Sequence, residues 1–210
     1  MIPTDDGLLL AWAPKAVVYL ASQYAVGLVA VRVLSRSSTV PMAWFRRAAG
    51  ATSLLLAVAL ALRVVVQSAS AFGAAEAMHA DHLKTIALES RWGGMWRLQA
   101  YGSLLLLAAT LMPEPIGWRL FSTCAVLMTF LLPLLGHGAG GPWSYSLHAL
   151  HLLAAASWLG TVGALALASW QWPVTAQSSI ASILGRFSPF AQMWSCLLYT
   201  SPSPRDQRGS

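Results

Sequence analysis

Residues 48–75 read AAGATSLLLAVALALRVVVQSASAFGAA, and Arg63 is the only charge in the stretch. A helix needs ~20 mostly apolar residues to cross the ~30 Å hydrocarbon core of a bilayer, and this run exceeds that. Lipid offers no partner to unpaired backbone groups, so a spanning segment of this kind is helical. Working outward, stretches 12–34, 96–112, 116–137 and 147–172 read the same way, with Lys15 and Arg32 placed to snorkel at the ends of the first. Pro41, Pro113 with Pro115, the glycines from Gly138 to Pro142, and Pro173 punctuate them. The expectation is an all-α fold, a polytopic transmembrane helix bundle of five spans plus the start of a sixth.

Composition agrees. Of 210 residues, 57% are hydrophobic and 10% charged, against ~45–50% and ~25% in an average soluble domain. So few charges cannot coat a water-soluble globule, and the surplus apolar surface predicts the lipid bilayer as partner. The net charge of +6 does not point to nucleic acid, because Lys and Arg are spread along the chain. Cys124 and Cys196 stand far apart and make neither a disulfide framework nor a CxxC pair. No Gly-rich phosphate loop, nucleophile elbow or paired catalytic carboxylates occur, so no enzyme is predicted. Asp5 and Asp6 precede the first span where a signal peptide would be basic, and that span is expected to remain as an uncleaved helix.

Basic residues near short loops set orientation. One side collects Arg32, Arg36, Arg46, Arg47, Arg119 and Arg186, and the other Lys15, Lys84, Arg91 and Arg97. The first side is therefore expected in the cytoplasm, with the N-terminus outside. On that topology all five histidines fall on the outer side. His79 and His82 lie in the loop after the second span, His137 closes the fourth, and His148 and His151 open the fifth. Residues three apart share a helical face, so His148 and His151 can converge on one ion. His79 and His82 repeat the spacing inside Met78-His79-Ala80-Asp81-His82. Thioether suits Cu(I), imidazole suits copper and zinc, and carboxylate suits harder ions. These six residues, His137, His148, His151, His79, His82 and Met78, are the candidate metal ligands. The competing reading is that loop and interface histidines are merely solvated polar groups.

Arg63 stands mid-span, where insertion costs at least ~2.5–3.5 kcal/mol. No carboxylate occurs in the spans. Its partner is thus expected to be a backbone carbonyl, water, a ligand or the interface. Trp158 follows His151 by two turns on one face, beside Gly160 and Gly163, where small residues let helices approach closely. The scattered methionines read as packing, and the tryptophans near predicted boundaries as an aromatic belt.

Several segments resemble the copper-resistance protein D (CopD) family of bacterial inner-membrane proteins. They are Leu135-Gly136-His137-Gly138-Ala139, the stretch from Leu147-His148-Ala149-Leu150-His151 through Trp158-Leu159-Gly160, and Gly185-Arg186-Phe187-Ser188-Pro189-Phe190-Ala191. Arg91-Trp92-Gly93 with Trp96 and Arg97 is a looser match, and the likeness covers roughly residues 10–194. The resemblance implies a polytopic domain in the bacterial inner membrane that moves copper, as Cu(I) or Cu(II), between periplasm and cytoplasm. It also implies a periplasmic copper-binding protein as partner, and makes His137 and His151 the leading ligands. On this reading residues 1–194 are an incomplete CopD-like domain. Residues 195–210, which resemble sequencing-adaptor read-through, are expected to be a disordered, non-native tail. Two rivals stand beside copper uptake: a membrane b-type cytochrome with haem b between two histidines, and a copper-binding scaffold that transports nothing.

Overall fold

The computed structural model describes residues 5–35, 40–135 and 141–200, with side chains described from 12 to 196 within those ranges. Eight α-helices follow in order: α1 (Asp5–Leu34), α2 (Met42–Phe72), α3 (Ala80–Lys84), α4 (Arg91–Leu111), α5 (Ile116–Leu131), α6 (Pro142–Ala155), α7 (Thr161–Gln171) and α8 (Val174–Thr200). No strand occurs among the described residues. Two π-helical turns interrupt the pattern, Thr85–Glu89 between α3 and α4, and Ala156–Gly160 between α6 and α7.

By length and composition, four helical segments suit a membrane: Trp12–Leu34, Met42–Phe72, Ile116–Leu135 and Pro142–Gln171. The chain is a multi-pass helical membrane protein, but the expected count of five spans and part of a sixth is not reproduced. The third expected span is present as α4, whose 21 residues would reach ~31 Å at 1.5 Å per residue. Arg91, Arg97 and Gln99 in its first half make it too polar to count with the others. Beyond the five expected spans α8 starts at Val174, so the Gly185-Arg186-Phe187-Ser188-Pro189-Phe190-Ala191 segment lies inside this helix. Its first turns lack lipid-grade hydropathy but bury Ala176, Ile180 and Ile183 at helical spacing.

Four helices form the centre: α1 packs on α2, α2 on α4, α4 on α5, and α5 back on α1. Neighbours run antiparallel, as paired contacts at different depths require. Arg46 reaches the Thr110 carbonyl at one end of the α2–α4 pair, while Trp96 Nε1 donates to the Leu60 carbonyl further along (2.9 Å). Gln99 Nε2 donates to the Leu131 carbonyl at 2.8 Å and ties α4 to α5. Tyr145 Oη donates to the Phe130 carbonyl at 2.7 Å and ties the start of α6 to the end of α5. Phe45, Phe121, Leu28, Leu56, Leu60, Leu106 and Met128 fill the interior.

At one end Arg32 gathers four segments. Its Nη2 meets Glu114 Oε2 at 2.7 Å, its Nη1 donates to Met42 Sδ, and its guanidinium lies 4.6 Å from the Trp118 ring centroid and 5.9 Å from that of Phe45. Trp172 packs edge-on to Trp44 (5.5 Å) and brings the end of α7 to the same place.

Between α1 and the second π turn the backbones touch. A methyl group at Gly160 would fall on the Gln23 carbonyl, and one at Gly27 on the Gly160 carbonyl. In lipid, packing of small residues replaces the hydrophobic drive between helices, so this contact sets how α6 and α7 lie on the centre. Gly160→Ala is expected to destabilise the protein by about 1–3 kcal/mol or more, the usual cost of overpacking. Gly163→Ala, whose new methyl would sit 3.7 Å from Tyr24 Cδ2, should melt close to the parent. Thermal unfolding of the two variants in detergent checks this.

Candidate metal-handling end of the bundle

The end opposite Arg32 carries His79, His82, His148 and His151. After α2 the chain turns at Gly73, whose φ of 95° suits a residue without a Cβ. A short 3-10 turn (Ala74–Glu76) then leads to α3. His79 is the residue before α3 and its side chain makes no capping hydrogen bond, so the imidazole is not consumed by the helix end. His82, one turn on, lies with its ring centroid 5.6 Å from that of His79. Phe72, the last residue of α2, stacks on the His82 ring at 4.0 Å with planes 9° apart.

His82 Nδ1 lies 3.2 Å from the Glu76 carbonyl oxygen. A carbonyl only accepts, so Nδ1 carries the proton in the neutral ring and the Nε2 lone pair is left for a metal. A backbone carbonyl on the second nitrogen is the usual device that fixes a ligand histidine's tautomer and orientation. Met78 is 71% exposed and Asp81 is exposed. Both stay near the pair in sequence without a described contact to either ring.

His148 and His151 share a face of α6, and both are exposed, whereas Ala149 and Leu152 on the same helix are buried. His148 is one turn beyond Tyr145, whose bond to Phe130 places this part of α6 beside the end of α5. His137 lies outside the described residues. Among the described residues, no three His, Cys, Asp or Glu side chains converge on a metal position. Among the described residues the histidines thus fall into two pairs, with no group of three that could hold a metal.

Each pair leads into a π turn. Thr85–Glu89 begins three residues after His82, and Ala156–Gly160 begins five after His151. Such turns occur often at functional sites because they redirect side chains without ending the helix. The first is wedged in place, since a Cβ at Gly93 would meet the Ile86 and Ala87 carbonyls, and Arg97 Nη1 donates to the Ala87 and Leu88 carbonyls at 2.7 Å each. Trp158 lies in the second, half-buried against the core.

Arg63 has its guanidinium 5.7 Å from the Trp92 ring centroid. The aromatic face supplies the partner that the spans' lack of carboxylates had left open. Sequence reading missed Trp92 here, and it missed Phe72 over His82. Neither pair has a spacing signature, because each joins different elements.

A family model described as copper resistance protein D-like, N-terminal domain, matches residues 5–145. That stretch contains Arg63, Met78, His79, His82 and His137, and stops three residues before His148. No curated protein and no solved structure matches the chain.

Trp92→Leu is expected to lower stability by ~0.5–2 kcal/mol through loss of the cation–π contact at Arg63, beyond the effect of the same change made with Arg63→Met already present. A double-mutant thermal cycle measures that coupling, and additive effects would count against it.

Proposed function

This chain belongs to the copper resistance protein D-like family, and from that membership we propose that it takes up copper at its histidine end and carries it across the bacterial inner membrane. Copper is the cargo, in either oxidation state. The observation that carries the reading is the placement of two histidine pairs at one end of the bundle, each running into a π turn.

Chemistry supports the order of events. His82, with Nδ1 held by the Glu76 carbonyl, keeps its Nε2 lone pair free of that bond, its ring centroid lies 5.6 Å from that of His79, and Met78 adds a thioether that favours Cu(I). His148 and His151 form the second station, with His137 as a further ligand between the two in sequence. Pairs of imidazoles bind less tightly than closed sites of three or four ligands, and release is as necessary to conduction as capture. The histidine end faces the periplasm in this proposal, because Arg32, Arg46, Arg47, Arg119 and Arg186 gather at the other end and basic residues favour the cytoplasm. A periplasmic copper-binding protein would deliver the ion at the exposed Met78–His82 segment.

Copper content and optical spectra of detergent-purified protein, followed by flux into liposomes, test the proposal. The parent chain is expected to bind copper without a Soret band. His79→Ala with His82→Ala, and His148→Ala with His151→Ala, should each weaken binding at least about tenfold, the lower end of what losing even an outer-shell partner costs a metal site. His151→Ala alone should abolish copper accumulation in cells while sparing expression. Copper binding unchanged in the quadruple variant would remove the histidines from the mechanism. A Soret band would turn it to haem, and binding without flux would leave a scaffold.

Sidedness has its own check. In a Cys196→Ser background, Asp81→Cys should react with a membrane-impermeant maleimide added to intact cells, and Arg119→Cys should not. The reverse pattern would invert the orientation.

A further inference from the structure

At the end opposite the histidines, Arg32, Arg46 and Arg47 line an open cavity of about 620 Å³ together with Met42, Ala43 and Glu114. Three guanidiniums face one carboxylate, and that carboxylate is already spent on Arg32 at 2.7 Å. Among the described residues Arg46 makes only a long bond to the Thr110 carbonyl, 3.4 Å. Arg47 makes no hydrogen bond or ion pair with the described residues, and both it and Arg46 are exposed. Among the described residues, then, no carboxylate pairs with the positive charges of Arg46 and Arg47, adjacent on α2.

Its depth is fixed by its neighbours. Trp172 and Trp44 meet at this end, and Trp170, two residues before Trp172, is 83% exposed. Exposed tryptophans at span ends mark the level of lipid headgroups. Met42 and Ala43 supply an apolar wall to the same cavity. A planar guanidinium fork matches phosphate oxygens two at a time, and basic pockets between membrane helices are suited to anionic headgroups.

We propose that the Arg32–Arg46–Arg47 cavity binds the phosphate of an anionic phospholipid, with Arg46 and Arg47 holding the oxygens and Arg32, anchored by Glu114, shaping the wall. The site is separate from the histidines and stands whether or not they carry copper. A lipid seated there would offset one of the two surplus charges at the entry of α2 and bridge Arg46 and Arg47 beside the Arg32–Glu114 pair.

The test uses the full chain, purified in a neutral detergent and stripped of lipid. Short-chain phosphatidylglycerol, phosphatidylcholine of the same chain length and inorganic phosphate are titrated while thermal stability is followed, and retained lipid is read by native mass spectrometry. Phosphatidylglycerol is expected to raise the unfolding midpoint of the parent and of Arg119→Gln, a charge at this end that does not line the cavity. Arg46→Gln with Arg47→Gln should weaken its apparent affinity about tenfold or more. Arg47→Gln alone, which loses no described contact, should give a smaller fall and serves if the double variant does not fold. Equal stabilisation by phosphatidylcholine, or an unchanged affinity in both variants, would overturn the proposal. The full effect produced by inorganic phosphate alone would overturn the lipid assignment and leave a soluble phosphate.

Discussion

Gly27 and Gly160 are the positions on which the rest of the arrangement depends. Where α1 crosses the π turn, the Gly160 carbonyl occupies the space of a Gly27 side chain, and the Gln23 carbonyl that of a Gly160 side chain. Lipid is as apolar as leucine, so helices in a membrane gain little by hiding apolar surface from one another. They associate through close van der Waals contact, and two glycines permit the closest approach available. Helix α1 already packs on α2 and α5. The glycine contact makes it the axle of the molecule, with the central helices on one side and the histidine-bearing rod of α6 and α7 on the other.

The two ends of the bundle have opposite characters, and each is stabilised in its own way. One end is tied by charge: Arg32 reaches Glu114, Met42 and two aromatic rings, so a single side chain holds α1, the start of α2 and the start of α5. Breaking the ion pair frees the exposed Glu114 carboxylate and leaves Arg32 its contacts to Met42 and the two rings. The histidine end is tied by backbone carbonyls instead. Those of Glu76, Ala87, Leu88, Phe130 and Leu131 each accept from a side chain. Several of these carbonyls lie in or beside irregular turns, which free acceptors that a regular helix would use for itself.

Much of this was legible in the sequence. Lipid-grade runs of apolar residues located α1, α2, α5 and the α6–α7 rod, and basic residues marked the charged end. Hydropathy set some limits wrongly for a physical reason. Arg46 and Arg47 looked like the end of a loop, yet they are helical, because helix propensity and the membrane boundary are separate matters. Helix α4 opens at Ser90, whose Oγ accepts from the Gly93 amide at 2.8 Å, an N-cap that a search for apolar runs passes over. The opening turns of α8 bury an amphipathic stripe, and mean hydropathy cannot see stripes. At the site, residue types and spacing found both histidine pairs but not their surroundings. Phe72 over His82 and Trp92 under Arg63 are contacts between elements, and the π turns lie in close backbone contact with Gly93 and Gly27.

Arg32 and Glu114 lie 82 residues apart, and this separation has a consequence during synthesis. A ribosome adds ~5–20 residues per second, so Arg32 emerges roughly 4–16 s before its carboxylate. Within that interval α2 is completed, and with it the Met42 and Phe45 contacts of Arg32 become available before the ion pair does. The Arg32–Glu114 pair can form only once the α4–α5 turn has been made, so the corner that α1 and α2 begin is completed by a segment synthesised well after them.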